Sequence, residues 1–136
     1  MKRALLLLFG LVLIGGYVGY KMYNKPHEDM SRAAAEIKIT APELFAEFEA
    51  DEAKANAKYL DKIVEVSGKV LQVDKDENGT VNVILDTGGM FGVVCKLDDL
   101  SEHPRTSFET GSEVRFKGKC TGMNMDVLLV RCVEVE

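Results

Sequence analysis

From Ala4 to Tyr20 the chain holds no charged residue and runs through Leu5, Leu6, Leu7, Leu8, Phe9, Leu11, Val12, Leu13 and Ile14. A segment of that kind in lipid must satisfy its own backbone hydrogen bonds, so it can only be a helix. Three identities compete for it. A cleaved signal needs a small-x-small site just after the apolar core, and Ala33-Ala34-Ala35 lies about a dozen residues beyond that core, well past the usual spacing. A lipoprotein signal needs a cysteine closing the run, and the first cysteine is Cys95. An uncleaved anchor needs about 17 to 25 apolar residues. Ala4 to Tyr20, extended by Met22 and Tyr23, meets that length, and Tyr17, Tyr20 and Tyr23 suit the headgroup boundary. The expectation is a signal anchor, a single transmembrane helix over residues 1–23, with the membrane itself as partner of residues 4–23. Lys2 and Arg3 favour a cytoplasmic N-terminus, with Lys21 and Lys25 as a comparable counterweight. The short basic start before an apolar run has the look of an export signal. Residues beyond the anchor are therefore expected in the periplasm, outside a bacterial inner membrane. Gly15 and Gly19 form a GxxxG pair of the kind that lets two helices pack.

Charge divides at the same place. The whole chain has 17 basic and 22 acidic residues, and its first 25 hold four bases and no acid. The rest carries 13 bases against 22 acids, a balance of −9. Such a module is soluble and repels phosphate backbones. Its length allows one small core. Residues 24–39, with Asn24, Pro26, His27, Glu28, Asp29 and Ser31 before an alanine run, read as a tether. Residues 40–136 read as one helix followed by a β domain.

The helix has a clear start. Thr40 before Ala41-Pro42-Glu43 supplies a capping box with proline in the first turn. Leu44, Phe45, Phe48, Ala55 and Tyr59 then recur at helical spacing. The early acids (Glu43, Glu47, Glu49, Asp51, Glu52) and late lysines (Lys54, Lys58, Lys62) suit the helix dipole. After Lys62 the period becomes two. Ile63 to Val73 alternates Val64, Val66 and Val70 against Glu65, Ser67 and Lys69, with Gly68 marking a bend or bulge. A turn over Asp74–Gly79 leads to a second strand with Val81, Val83 and Leu85 on one side and Asn82, Ile84 and Asp86 on the other. Gly88-Gly89 reads as a two-residue hairpin turn. The third strand puts Phe91, Val93, Cys95 and Leu97 inward. A polar connection with Pro104 precedes a fourth strand (Val114, Phe116, Gly118, Cys120 inward; Arg115, Lys117, Lys119 outward). A turn over Gly122–Asp126 opens the fifth, Val127 to Val135.

That order is the order of a mostly β fold: a five-stranded Greek-key barrel of OB type preceded by one α-helix, behind an N-terminal transmembrane helix. The run Asn56 to Val70, then Val93-Val94-Cys95-Lys96-Leu97, then Gly111…Val114…Gly118-Lys119-Cys120-Thr121-Gly122…Asp126-Val127…Cys132, resembles the tRNA-anticodon-binding-like OB-fold family of small bacterial envelope proteins. The resemblance spans about residues 40 to 135 and implies an OB-fold. It departs from many members at the N-terminus, which usually ends a lipoprotein signal in cysteine. It implies little about activity, because fold does not fix function.

OB-folds that hold single strands combine a basic groove with aromatic platforms on the second and third strands. Here the outward face of those strands offers Asn82, Ile84, Asp86, Met90, Val94 and Lys96, without an aromatic. Alternation turns Phe91 to the core. Lys69, Arg115, Lys117 and Lys119 could form a basic stripe over the first and fourth strands; an ordinary solvated face explains them as simply. On the strength of the fold, since the sequence marks no hot spot there, the ligand face is assigned to the strand-two and strand-three residues and the rim loops. An unknown protein or glycan is the expected partner there, with nucleic acid the alternative and self-association through the anchor helix a third reading.

All three cysteines fall on inward positions. With a turn near Met123-Asn124, Cys120 faces Val127, which leaves Cys132 roughly 17 Å further along. A disulfide reaches about 7 Å between Cα atoms. Cys95 with Cys132, on adjacent strands, is the expected pair. No metal is expected, since the cysteines lack CxxC spacing and His27 and His103 stand alone. Asp74-Lys75-Asp76-Glu77-Asn78-Gly79 begins like a calcium loop, but Leu85 stands where the bidentate acid belongs. Ser101 and His103 are close in sequence, yet lack an orienting partner. Neither an enzyme nor a cofactor is expected.

Overall fold

The computed structural model describes residues 1–24 and 29–135. Lys25, Pro26, His27 and Glu28 of the expected tether, and Glu136, lie outside the described residues. Helix α1, Lys2–Tyr23, is 22 residues long and none of its side chains is buried. It has the length and composition to cross a membrane, a property that signal sequences near an N-terminus share.

The barrel is built on one long strand. β2, Ile63–Lys75, pairs its first half with β5, Glu113–Asn124, and its second half with β3, Val81–Leu85. β3 pairs with β4, Val93–Leu97, which runs parallel to β6, Asp126–Glu134, and β6 returns to β5. The β2–β5 pairing closes the ring of five. A strand can serve two neighbours this way only if it bends. The register of β2 shifts between Val70 and Gln72, so the bulge falls beyond Gly68, where sequence placed it, and increases the local twist.

Alternation delivers the core. Val64, Val66, Val83, Leu85, Val93, Phe116 and Leu129 are fully buried, each such side chain contributing about 1.5 to 3 kcal/mol relative to exposure. Leu44, Phe48 and Tyr59 from the helical segment join the same cluster. That segment is two helices where one was expected: α2, Ala41–Ala50, and α3, Glu52–Tyr59. The Thr40–Glu43 capping box is present. Asp51 breaks the helix by adopting extended backbone and accepting a hydrogen bond from the Lys54 N–H at 3.1 Å. Short acceptor side chains favour caps over helix interiors for this reason.

Three other boundaries differ from expectation. The β3–β4 connection runs from Asp86 to Gly92 rather than turning on Gly88-Gly89. β5 continues to Asn124, so Met125 alone, at φ 64°, makes the turn into β6. The far end of the expected tether is a strand: β1, Ile37–Thr40, lies parallel to β2 with Ile37 opposite Val64. Before it, Met30 is 1% exposed and packs with Ile63, Val133 and Ala33. The Glu36 N–H donates to the Ile63 carbonyl at 2.8 Å. Residues 29–40 thus form a strap along the barrel wall.

Candidate functional site

The registers bring the expected ligand residues of two strands together. Asn82 stands opposite Lys96, and Ile84 opposite Val94, all four half-buried on the outward face of β3 and β4. Asp86 sits at the end of β3, where its carboxylate accepts the Gly88 N–H at 2.8 Å. Met90 belongs to the 86–92 loop and is 88% exposed.

Two side chains missing from the sequence reading complete this face. Val94 pairs with Leu128 of β6, which is 36% exposed, so the aliphatic row crosses three strands. Leu71, the extra residue at the β2 bulge, is 45% exposed beside it. The signal for Leu128 was present: in Val127-Leu128-Leu129 a period of two must send one leucine outward. Phe91 corrects the alternation argument, since it precedes β4 and lies 36% exposed rather than in the core. The next residue, Gly92, is buried on the side of Ile84, where a Cβ would lie 2.6 Å from the Leu85 carbonyl oxygen and 2.9 Å from Ile84 Cγ2. Its N–H donates to Asp126 Oδ1 at 2.7 Å, tying the 86–92 loop to the β5–β6 turn. An open groove of about 320 Å³ runs between Val94, Leu128, Met123 and Asp126.

The charges on this face are mostly acidic or compensated. Asp74 is held by the Gln72 amide at 2.7 Å, and Lys96 lies 3.5 Å from Asp76. Asp76 itself accepts the Asn78 and Thr80 N–H groups at 2.9 and 3.0 Å, so the calcium-like sequence is spent on a turn.

The basic stripe occupies neighbouring strands, interleaved with acids. Lys69 is opposite Glu113, Arg115 opposite Ser67, Lys117 opposite Glu65 and Lys119 opposite Ile63. Glu65, 8% exposed, sits 3.6 Å from Arg115 and 3.9 Å from Lys38. Lys117 donates to the Ser31 carbonyl of the strap at 3.3 Å. A second open groove, about 810 Å³, lies at the end of this face, where Lys69 and Arg115 meet Asp86, Glu113 and Glu134. Its mixed charge favours neither anions nor cations.

Ser101 and His103 do not bond each other. The Ser101 hydroxyl donates to Asp98 Oδ2 at 2.6 Å, and His103 Nε2 contacts the Asp98 carbonyl at 2.6 Å. Both organise the 98–103 loop. In the core, Cys95, Cys120 and Cys132 are thiols. Burial pushes the Cys132 thiol well above its ordinary value, and a hydrogen bond with Cys95 adds to the shift.

A closed five-stranded barrel with this strand order and pairing is an OB-fold. The chain belongs to the tRNA_anti-like family, whose model matches residues 1–134. The fold is similar to a crystal structure from Klebsiella pneumoniae subsp. pneumoniae MGH 78578 described as a "putative nucleic acid-binding lipoprotein". The two share 16% identity with a TM-score of 0.60, over 82% of this chain and 100% of that one. Among curated proteins none matches.

Proposed function

We propose that this is a bacterial envelope protein, held in the inner membrane by α1, whose periplasmic OB-fold domain binds a ligand on the β3–β4 face and has no catalytic role. The observation that carries the reading is the register that lines up Asn82, Ile84, Val94, Lys96 and Leu128 on one outward face. Half-buried aliphatic groups flanked by polar ones form a surface that gains by being covered.

A nucleic-acid-binding reading is favoured by the description of the Klebsiella structure and by the exposure of Phe91, which an unstacked base could cover. The −9 balance beyond residue 25 weighs against it, since affinity for strands comes mainly from neutralising phosphates. Fluorescence anisotropy of the full chain in nanodiscs, titrated into labelled oligo-dT and oligo-U over a salt series, separates the two. No binding at low salt is expected. Binding that weakens steeply with salt would install the nucleic-acid reading. Retention of the protein in membranes washed with alkaline carbonate, with digestion by protease added to spheroplasts, checks the anchor and its orientation. Release by carbonate or protection from protease would overturn that part.

A further inference from the structure

We propose that the outward face of β3, β4 and β6 is the docking site for a basic amphipathic protein segment, one that alternates aliphatic side chains with lysines or arginines. This deepens the β3–β4 reading above and rests on it. Ile84, Val94 and Leu128 form a continuous row by register. The hydrogen bond from Gly92 to Asp126 gathers two loops at one rim of that row. Each bares a methionine there: Met90, 88% exposed, and Met125, 63% exposed. The bulge adds Leu71 at the strand position facing Leu85 and Ile84, next to the same rim. Exposed leucine and flexible thioethers together suit a protein surface, because methionine repacks around varied side chains.

Charge selects the partner. Asp74 and Asp126 border the row, Asp86 at its end is shared with the groove of Lys69 and Arg115, and Lys96, the face's one cation by register, already sits 3.5 Å from Asp76. A partner bringing positive charge is attracted and oriented by that border, whereas one bringing phosphates or carboxylates is repelled. The groove that Val94, Met123 and Leu128 share with Thr121, Asn124 and Asp126 joins apolar walls to polar ones and holds one carboxylate. It fits an aliphatic side chain followed by a cationic one.

The test uses the full chain in phosphatidylcholine nanodiscs and two fluorescein-labelled synthetic peptides, one alternating leucine with lysine and its twin alternating leucine with glutamate. Empty nanodiscs give the background to subtract. The lysine peptide is expected to bind, and Leu128→Lys and Ile84→Lys are each expected to weaken it about tenfold or more. Leu100→Lys, at an exposed leucine of the 98–103 loop beside Asp29 and Ser31 of the strap, should leave binding unchanged. Circular dichroism confirms that the variants are folded. Equal binding of the glutamate twin that still depends on Leu128 would overturn the charge class while sparing the face. Binding indifferent to both substitutions, or no binding at all, would overturn the docking site itself. Displacement of the peptide by oligo-dT would also overturn it, in favour of nucleic acid.

Discussion

Tyr59 shows how one side chain joins two helices to the barrel. Its ring is fully buried, 5.9 Å from that of Phe48, while its hydroxyl reaches out to donate to Glu47 at 2.6 Å. Lys58 donates to the same carboxylate at 3.1 Å and lies over the Tyr59 ring. The hydrogen bond from Tyr59, followed by those from Lys58, holds the Glu47 carboxyl below its ordinary 4.5. A carboxylate whose pKa is depressed by folding stabilises the fold above its unfolded value and loses that contribution as pH falls through its folded value. Tyr59→Phe should therefore cost about 1 kcal/mol near neutral pH. The gap from wild type should narrow as pH drops below 4.5. Urea unfolding at several pH values checks this, and a gap independent of pH would refute the role given to Glu47. The capping box at Thr40 and Glu43 could be read from sequence because its bonds span three residues. The Tyr59–Glu47 bond could not, because it exists only once Asp51 has folded α3 back along α2.

At the scale of elements, the parallel β4–β6 pair contains the sulfur chemistry. Leu97 stands opposite Cys132 and Cys95 opposite Leu129, with a register shift between them. Arg131 adopts a φ of 54° within that irregularity, and Cys132 turns inward over Gly118. A Cβ on Gly118 would lie 2.4 Å from Cys132 Sγ, so glycine provides the space the sulfur fills. Cys95 and Cys132 are unbridged in the structure but close enough to hydrogen-bond. Peptide mapping of protein purified from membranes without reductant is expected to show that an oxidising compartment links them, leaving Cys120 as the one thiol. Three thiols would remove the pairing. Most inward positions were legible from the alternation, Phe91 excepted, and the adjacency of β4 with β6 and of β2 with β5 followed from the barrel type that the order of elements implied. The registers were not legible: a tight turn at Met125 slides Cys120 opposite Leu129 instead of Val127. Bulges and one-residue turns are backbone events that leave little trace in a pattern of apolar and polar residues.

The whole molecule depends on a piece the sequence disguised. Ile37–Thr40 is too short to announce a strand, and its partner in β2 lies far along the chain. Met30 looked like a tether residue because nothing local says that Ile63 and Val133 await it. Met30→Ala should cost about 2 kcal/mol, and hydrogen exchange at Glu36 to Thr40 should speed up while β3 and β4 stay protected. Unchanged exchange in that stretch would mean the strap is held by β1 alone. If α1 lies in a bilayer, this clasp also sets a leash. Only Asn24 to Glu28 separate the end of the helix from the strap, a contour of about 20 Å at full stretch. That length is an upper bound on how far the strap can start from the end of the helix. Whatever the barrel captures is met at the high local concentration of a tethered reaction, and only if it too comes to the membrane surface.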